Sequence, residues 1–230
     1  MLAHDEERAW LLLADGGTPV GAFGNVEDAW AAALPLYAEL QRGEERHVDE
    51  HLAGGVPDWR LERLPELYGD MLARDLPLEA EEIGDLRRFA GTFTALCEEL
   101  AGHGIPETLQ HDDLHIGNVY VRDGRVVFLD WGDAVVSHPF FSLARADDVW
   151  SDSLRDAYLG AWGGGHVETF ELALRVGAFE HAFGFLHLWD HLRDDERPRF
   201  ADAFPRILRR AYCRARADSS TSTRRGFEPS

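Results

Sequence analysis

The stretch LQHDDLHIGNVYVRDGRVVFLDWGDA, from Leu109 to Ala134, decides the fold, because it combines a short β-hairpin with many acid, amide and imidazole groups. Residues 119–121 form a β-prone run, and residues 126–129 form a second one. Between them lies the pair Asp123-Gly124, which is typical of a tight turn. The sequence therefore predicts a hairpin whose turn lies at the far end from the polar groups.

This arrangement brings polar side chains together at the open end of the hairpin. Asn118 enters the first strand where Asp130 leaves the second, so the two side chains can converge. A carboxylate and a carboxamide oxygen form the hard, oxygen-rich site that magnesium prefers. Asp113 precedes Asn118 in a loop, where a second carboxylate can orient a hydroxyl group and accept its proton. The pattern indicates the transfer of a phosphoryl group.

The same segment resembles two motifs of the aminoglycoside phosphotransferase family. HDDLHIGN is similar to the catalytic loop of that family, and FLDWGDA resembles its metal-binding segment. The resemblance implies a protein-kinase-like fold with Asp113 as the catalytic base. It also implies that Asn118 and Asp130 are the magnesium ligands and that His111 braces the loop. Relatives often have an aspartate where this chain has Ser142.

The resemblance covers nearly the whole chain, but only the larger, helical lobe of the kinase-like fold. Residues 8–17 resemble the strand and hinge between the lobes, which implies that the backbone at Leu13 and Ala14 contacts the adenine of ATP. No glycine-rich phosphate loop and no strand lysine precede them. We therefore expect the N-terminal β-rich lobe to be absent and ATP turnover to be slow. Both a truncated enzyme and a genuine single-lobe protein agree with this pattern.

One consequence and two alternatives follow from these motifs, and a histidine pair elsewhere is a separate candidate site. Residues 11–13 are expected to form an exposed strand edge without partners. A non-catalytic, pseudokinase-like module that captures a small cation or a partner protein remains open. So does a metal-dependent hydrolase using His111, Asp113 and His115, although imidazoles suit zinc or iron better than magnesium. His187 and His191 lie one helical turn apart and form a further candidate metal site, but aromatic neighbours favour a packed helix interface.

The charge of the sequence limits its partners. A formal net charge of -19 argues against nucleic acids and anionic membranes, which select for basic surfaces. Acidic residues are concentrated between Glu44 and Asp85, in a region that forms much of the acceptor pocket in the family. A cationic hydroxyl acceptor fits the resemblance, and solvated helix faces are the alternative explanation. Two widely separated cysteines and an acidic start without a signal peptide predict a cytoplasmic protein with reduced thiols.

The fold class that we predict is α+β and mainly helical, the C-terminal lobe of a kinase-like phosphotransferase. It extends over residues 1–217, with a disordered tail at 218–230. Apolar spacing and capping residues predict helices at 26–41 (with Asn25 as N-cap and Gly43 as stop), 45–53, 59–73, 78–102, 151–161, 167–192 and 201–216.

Overall fold

The fold consists of helices and of short strands that pair in small sheets. The computed structural model describes residues 2–8, 10–144, 151–200 and 202–217. Within these ranges the strands are β1 (Ala3–Asp5), β2 (Trp10–Leu12), β3 (Thr18–Pro19), β4 (Thr108–Gln110), β5 (Val119–Arg122), β6 (Arg125–Phe128) and β7 (Val135–Ser137). The helices are α1 (Val26–Glu44), α2 (Val48–Ala53), α3 (Leu64–Leu72), α4 (Ala80–Gly102), α5 (Asp152–Ala161), α6 (Val167–Gly177), α7 (Glu180–His191) and α8 (Ala203–Arg216). Short 3-10 segments lie at Val20–Phe23, Glu45–His47, Ile116–Asn118, Trp131–Asp133, Pro139–Leu143 and Arg197–Arg199.

The predicted hairpin is present as β5 and β6. The strands are antiparallel, and Arg122 lies opposite Arg125 next to the turn. Asp123 and Gly124 form the turn with φ angles of 52° and 73°, which lie in the left-handed region that such a turn requires. β3 pairs with the outer side of β5, so the sheet order is β3-β5-β6. The hairpin prediction is confirmed.

The hinge strand predicted over residues 8–17 is shorter than expected. Strand geometry extends only over β2, and residues 13–17 are irregular; Ala9 lies outside the described residues. β2 pairs antiparallel with β1, so the expectation of an edge without partners is wrong. The side chains of 10–13 are nevertheless 53–67% exposed, because no further described strand covers this two-stranded sheet.

α1 begins where the sequence predicts and ends later. The Asn25 Oδ1 accepts a hydrogen bond from the Glu27 amide (3.0 Å), which satisfies one of the free N–H groups of the first turn. The prediction that Gly43 stops the helix is wrong, since Gly43 lies inside α1. A helical glycine costs only about 1 kcal/mol, which the buried face of α1 offsets. α2 ends at Ala53, and Gly54 is its C-cap.

α3 begins five residues later than predicted, because the chain before it pairs with a strand. The Trp59 amide donates to the Val136 carbonyl (2.9 Å), and the Val136 amide donates to the Pro57 carbonyl (2.9 Å). Residues 57–59 therefore run beside β7 instead of forming the first helical turn.

The helix predicted over residues 167–192 is divided into α6 and α7. A Cβ atom on Gly177 would lie 2.6 Å from Phe141 Cδ1, so glycine allows the end of α6 to pack against the 3-10 segment at 139–143. The chain turns at Ala178 and Phe179 before α7 begins. At this break the Phe179 amide donates to the Val176 carbonyl (3.2 Å), three residues earlier.

The core forms between the helices and continues under the hairpin. α4 buries an apolar stripe that consists of Leu86, Phe89, Phe93, Leu96, Cys97 and Leu100. Cys97 and the exposed Cys213 are both free thiols. None of the described helices combines the length and the apolar character that crossing a membrane requires. The predicted tail at 218–230 lies outside the described residues. The fold is mainly helical with small antiparallel sheets.

Candidate active site

β4 and the loop after it position Asp113. β4 pairs antiparallel with β7, and both Gln110 and His111 are fully buried. Asp112 has a left-handed backbone conformation (φ 55°), which aspartate tolerates better than most residues. The next side chain, Asp113, is 41% exposed. Buried residues therefore hold a carboxylate that is open to solvent.

Asn118 and Asp130 lie together at the open end of the hairpin. The Leu129 amide donates to the Asn118 carbonyl (2.9 Å), so the two backbone segments are in contact. The Asn118 Nδ2 donates to the Asp113 carbonyl (3.1 Å) and lies 3.5 Å from Asp113 Oδ2. Asp130 has a left-handed backbone conformation (φ 66°, ψ 57°). The structure thus brings the three sequence-predicted residues to one place.

The donor atoms at this place fit a magnesium ion. Since Nδ2 of Asn118 donates to Asp113, its Oδ1 is the amide atom that remains available to a metal. Asp130 is exposed and adds carboxylate oxygens. Magnesium is often bound by one or two carboxylates and completes its coordination with waters and phosphate oxygens. Asn118 and Asp130 are therefore the residues that would hold it.

His111 ties the loop to the segment that follows the hairpin. Its Nε2 donates to the Leu129 carbonyl (2.7 Å), and its ring centroid lies 4.7 Å from that of Trp131. The imidazole is thus directed to the hairpin and not to His115. Within the described residues, no group of three or more His, Cys, Asp and Glu side chains could hold a metal ion. The cluster that a hydrolase would need does not form there.

His115 contacts the Asp113 carboxylate. Its Nδ1 accepts a hydrogen bond from the Gly117 amide (3.0 Å), so the proton of the neutral ring is on Nε2. That nitrogen lies 3.5 Å from Asp113 Oδ2. His115 therefore presents its Nε2–H group to the carboxylate.

The histidines of the α7 pair contact their own helix, and Asp190 between them contacts Arg74. The His191 Nδ1 donates to the His187 carbonyl (2.8 Å), so this ring nitrogen is not free to bind a metal. Asp190, which lies between them, accepts from Arg74 NH1 (3.0 Å). These contacts agree with a helix surface and not with a metal site.

A buried hydrogen-bond network supports the loop, and no motif in the sequence signals it. The His111 amide donates to the Tyr37 hydroxyl (3.1 Å), which lies 2.6 Å from Ser142 Oγ. Ser142 Oγ donates to Gln110 Oε1 (3.2 Å), and Gln110 Nε2 donates to Glu180 Oε2 (2.5 Å). Because the single hydroxyl hydrogen of Ser142 is used on Gln110, the Tyr37 hydroxyl donates to Ser142. Every bond of this buried network therefore runs in one direction.

The buried network connects α1 and α7 to the residue two positions before Asp113. Burial raises the pKa of the Tyr37 hydroxyl well above its usual range, so this group keeps the proton that it donates. The Tyr37 ring also contacts Phe128 and Trp131, with centroid distances of 5.3 and 6.4 Å. Tyr37 thus contacts both the catalytic-loop segment and the residues on either side of Asp130.

The segment that the resemblance assigns to adenine lies against the hairpin. A Cβ atom on Gly16 would lie 2.5 Å from Leu129 Cδ1, so the absence of a side chain allows this close approach. Leu13 and Ala14 precede it and are exposed. Because Leu129 directly precedes Asp130, the hinge segment and the candidate metal ligands are neighbours.

Asp113 lines a cleft of about 850 Å³, which is a typical volume for a small-molecule site. The cleft is also lined by Asp112 and by residues 132–135, which include Asp133. Residues of α7 and α8 form much of the rest of the lining. The described acids between Glu44 and Asp85 are not among the lining residues. The charge of the cleft therefore does not come from that acidic region.

Comparison with known proteins identifies the class to which this fold and site belong. A model of the phosphotransferase enzyme family matches residues 5–173, which include the hinge segment, the loop and the hairpin. This chain belongs to the phosphotransferase enzyme family, so the resemblance of its motifs is confirmed.

One solved structure shows a similar fold. A choline/ethanolamine kinase family protein from Mesorhizobium loti is similar over 94% of this chain and 72% of its own, with 17% sequence identity and a TM-score of 0.57. At this identity the likeness shows the protein-kinase-like fold alone. An ethanolamine kinase from Plasmodium vivax is similar over 88% of this chain and 62% of its own, with 15% identity and a TM-score of 0.46. No curated protein matches the sequence significantly.

Proposed function

We propose that this protein is a magnesium-dependent kinase that transfers the γ-phosphoryl group of ATP to a hydroxyl group of a small molecule. One observation carries the proposal: the partly exposed Asp113 carboxylate lines a cleft and lies beside Asn118. The carbonyl of Asn118 in turn accepts a hydrogen bond from the amide of Leu129, the residue before Asp130. A proton acceptor and a hard oxygen site are thus adjacent to a space for an acceptor molecule. Membership of the phosphotransferase enzyme family supports this chemistry.

Asp113 orients the acceptor hydroxyl and accepts its proton late in the reaction. The hydroxyl oxygen forms a bond to the γ-phosphorus while the bond from that phosphorus to the bridging oxygen of ADP breaks. The proton passes to the Asp113 carboxylate and then to solvent. Since the transition state of phosphoryl transfer is loose, positioning contributes more than the strength of the base. The N–H of His115 steadies the carboxylate. Asn118 and Asp130 would hold a magnesium ion, which would supply positive charge to neutralise the phosphate oxygens.

The nucleotide is proposed to bind between the hinge segment and the hairpin. The exposed backbone of Leu13 and Ala14 contacts adenine, and the packing of Gly16 on Leu129 supports this placement because it brings the hinge close to Asp130. The sequence contains 23 arginines and no lysine, so no lysine of this chain contacts the α- and β-phosphates. We therefore expect this chain alone to bind ATP weakly and to turn it over slowly.

Binding of Mn²⁺, a paramagnetic substitute for magnesium, tests the metal site without relying on turnover. Electron paramagnetic resonance of the free Mn²⁺ signal, recorded with ADP present, measures the affinity. Asp130→Asn should weaken binding severalfold, because the substitution removes the charge of one of two proposed protein ligands. Asp123→Asn, at the far turn of the same hairpin, is the matched control and should bind like the wild type. Equal affinities of the Asp130 and Asp123 variants would contradict the assignment.

A further inference from the structure

Arginine residues form a row on one wall of the cleft. α8 contains five arginines and no acidic residue. Arg206, Arg210 and Arg214 recur every four residues, which places them on one helix face, and all three line the cleft. Arg199, in the turn before α8, lines it as well. We call these four residues the arginine row.

The arginine row contrasts with the charge of the protein. The sequence carries a formal net charge of -19, yet four arginines and three aspartates line this cleft. The aspartates are Asp112, Asp113 and Asp133, which belong to the catalytic loop and the segment after the hairpin. The cleft is thus acidic where the reaction is proposed and basic along α8.

Several properties of the row suit an anion. Like charges four residues apart on a helix repel each other, so a row of them is favoured where negative oxygens face it. The planar guanidinium group binds carboxylate or phosphate oxygens through two parallel hydrogen bonds. Arg199, Arg206 and Arg210 are exposed, and Arg214 NH1 donates to the Ala144 carbonyl (3.2 Å). The three exposed arginines are accessible to a ligand from solvent.

We infer that the acceptor is an organic anion whose carboxylate or phosphate group binds the arginine row while its hydroxyl group reaches Asp113. The inference rests on the proposed function and names the substrate class of the same cleft. Trp59, Phe185, Leu188 and Ile207 line the space as well, which suits an apolar body between the two polar ends. An anionic acceptor replaces the cationic one expected from the acidic region, since those acids do not line the cleft.

A purely structural role for the arginines makes a different prediction. If the row only neutralises acidic side chains of this protein, the cleft should not distinguish an anion from an uncharged molecule of the same shape. The inference requires such a distinction and requires that it depend on Arg206.

A series of ω-hydroxycarboxylic acids of increasing length provides the probes, each compared with its uncharged primary amide and the corresponding amino alcohol. Calorimetry of the whole protein measures binding in the presence of magnesium and ADP. The best acid should bind about tenfold or more tightly than its amide, because charge-assisted bonds to arginine are lost in the amide. Phosphate monoesters of the matching diols show whether a carboxylate or a phosphate is preferred.

Arg206→Gln should bring the acid-to-amide affinity ratio close to one. Arg209→Gln is the matched control, because Arg209 lies on another face of α8 and pairs with Glu82 (2.6 Å); its ratio should equal that of the wild type. No preference for any acid or phosphate over its uncharged analogue would overturn the inference. So would a preference that survives Arg206→Gln unchanged.

Transfer from ATP, followed by phosphorus NMR with the same probes, separates the inference from the proposed function. Asp113→Asn should stop transfer and leave the acid-to-amide affinity ratio unchanged. Selective binding of the anions without any transfer by the wild type would contradict the proposed function alone. Transfer to the amides or amino alcohols as readily as to the acids would support the proposed function and overturn the inference of an anionic acceptor.

Discussion

Removing the Tyr37 hydroxyl should destabilise the fold and reveal a coupling to Ser142. Tyr37→Phe leaves the buried His111 amide without its acceptor. Ser142→Ala leaves two buried groups without partners, the Tyr37 hydroxyl as a donor and Gln110 Oε1 as an acceptor. An unsatisfied buried polar group costs about 1–3 kcal/mol. Each single substitution should therefore lower the free energy of unfolding by about that amount or more.

The double variant should lose less stability than the sum of the two single variants. With both changes made, the His111 amide and Gln110 Oε1 lack partners, but the Tyr37 hydroxyl no longer exists. The sum of the single effects counts that orphaned hydroxyl, and the double variant does not. The expected coupling free energy is therefore about 1–3 kcal/mol, the cost of one buried unsatisfied hydroxyl.

Equilibrium unfolding in urea measures all four proteins of this cycle. Tyr68→Phe, combined with Ser142→Ala, is the control cycle, because the Tyr68 hydroxyl is also buried but donates to the Leu86 carbonyl (2.9 Å). Its effects should add within about 0.5 kcal/mol, as is usual for sites without shared partners. If the effects of Tyr37→Phe and Ser142→Ala also added within about 0.5 kcal/mol, the direction and the continuity of the buried network would be refuted.

Three further predictions concern acid stability, packing and thiol reactivity. Burial lowers the pKa of His138 from 6.5 to about 3. Below pH 6.5 the unfolded state binds a proton that the folded state does not bind. The free energy of unfolding should therefore decrease as the pH is lowered, by about 2 kcal/mol from pH 7 to pH 5. His138→Asn should lose that much less over this range in urea unfolding, and identical pH slopes would contradict the burial. Gly177→Ala should lower the free energy of unfolding by about 1–3 kcal/mol through overpacking against Phe141. Gly91→Ala, inside α4, adds a Cβ atom with no other atom within 4 Å, so it should raise the free energy of unfolding by about 0.5–1 kcal/mol. Thermal melts in which the Gly177 variant is the more stable of the two would refute the contact with Phe141. Burial raises the pKa of the Cys97 thiol to about 12. A thiol reagent should therefore label the exposed Cys213 in the native protein and Cys97 only after unfolding. Rapid labelling of Cys97 in the native protein would contradict its burial.

The local features of the fold were predictable from the sequence, because their causes lie within a few residues. Turn chemistry at Asp123-Gly124 fixes the hairpin, and the hairpin brings the segments of Asn118 and Asp130 together. The cap at Asn25 and the apolar stripe of α4 follow from local spacing in the same way. The position of Asp113 beside Asn118 also follows from their short separation in the loop.

The features that the sequence did not predict depend on contacts between distant residues. Trp59 pairs with β7, and Gly177 packs on Phe141, so neither break could be inferred from periodicity. Gly43 is a weak local signal that the packing of α1 overrides. The buried network joins four separate elements through side chains whose burial no motif announces. The arginine row was not predicted either: Arg206, Arg210 and Arg214 recur every four residues in the sequence, but the spacing alone does not show that this face of α8 lines the cleft.

Phosphoryl transfer by Asp113→Asn protein is the most direct test of the central claim. The rate of magnesium-dependent transfer from ATP to a bound hydroxyl acceptor is measured for the wild type, for Asp113→Asn and for Asp123→Asn. Slow transfer is expected for the wild type and the Asp123 variant, and the Asp113 variant should transfer about 10²-fold or more slowly, which is the usual contribution of a positioned base. Equal transfer rates in all three proteins would show that Asp113 is not the catalytic base, and ligand binding without transfer in any of them would indicate a non-catalytic binding module.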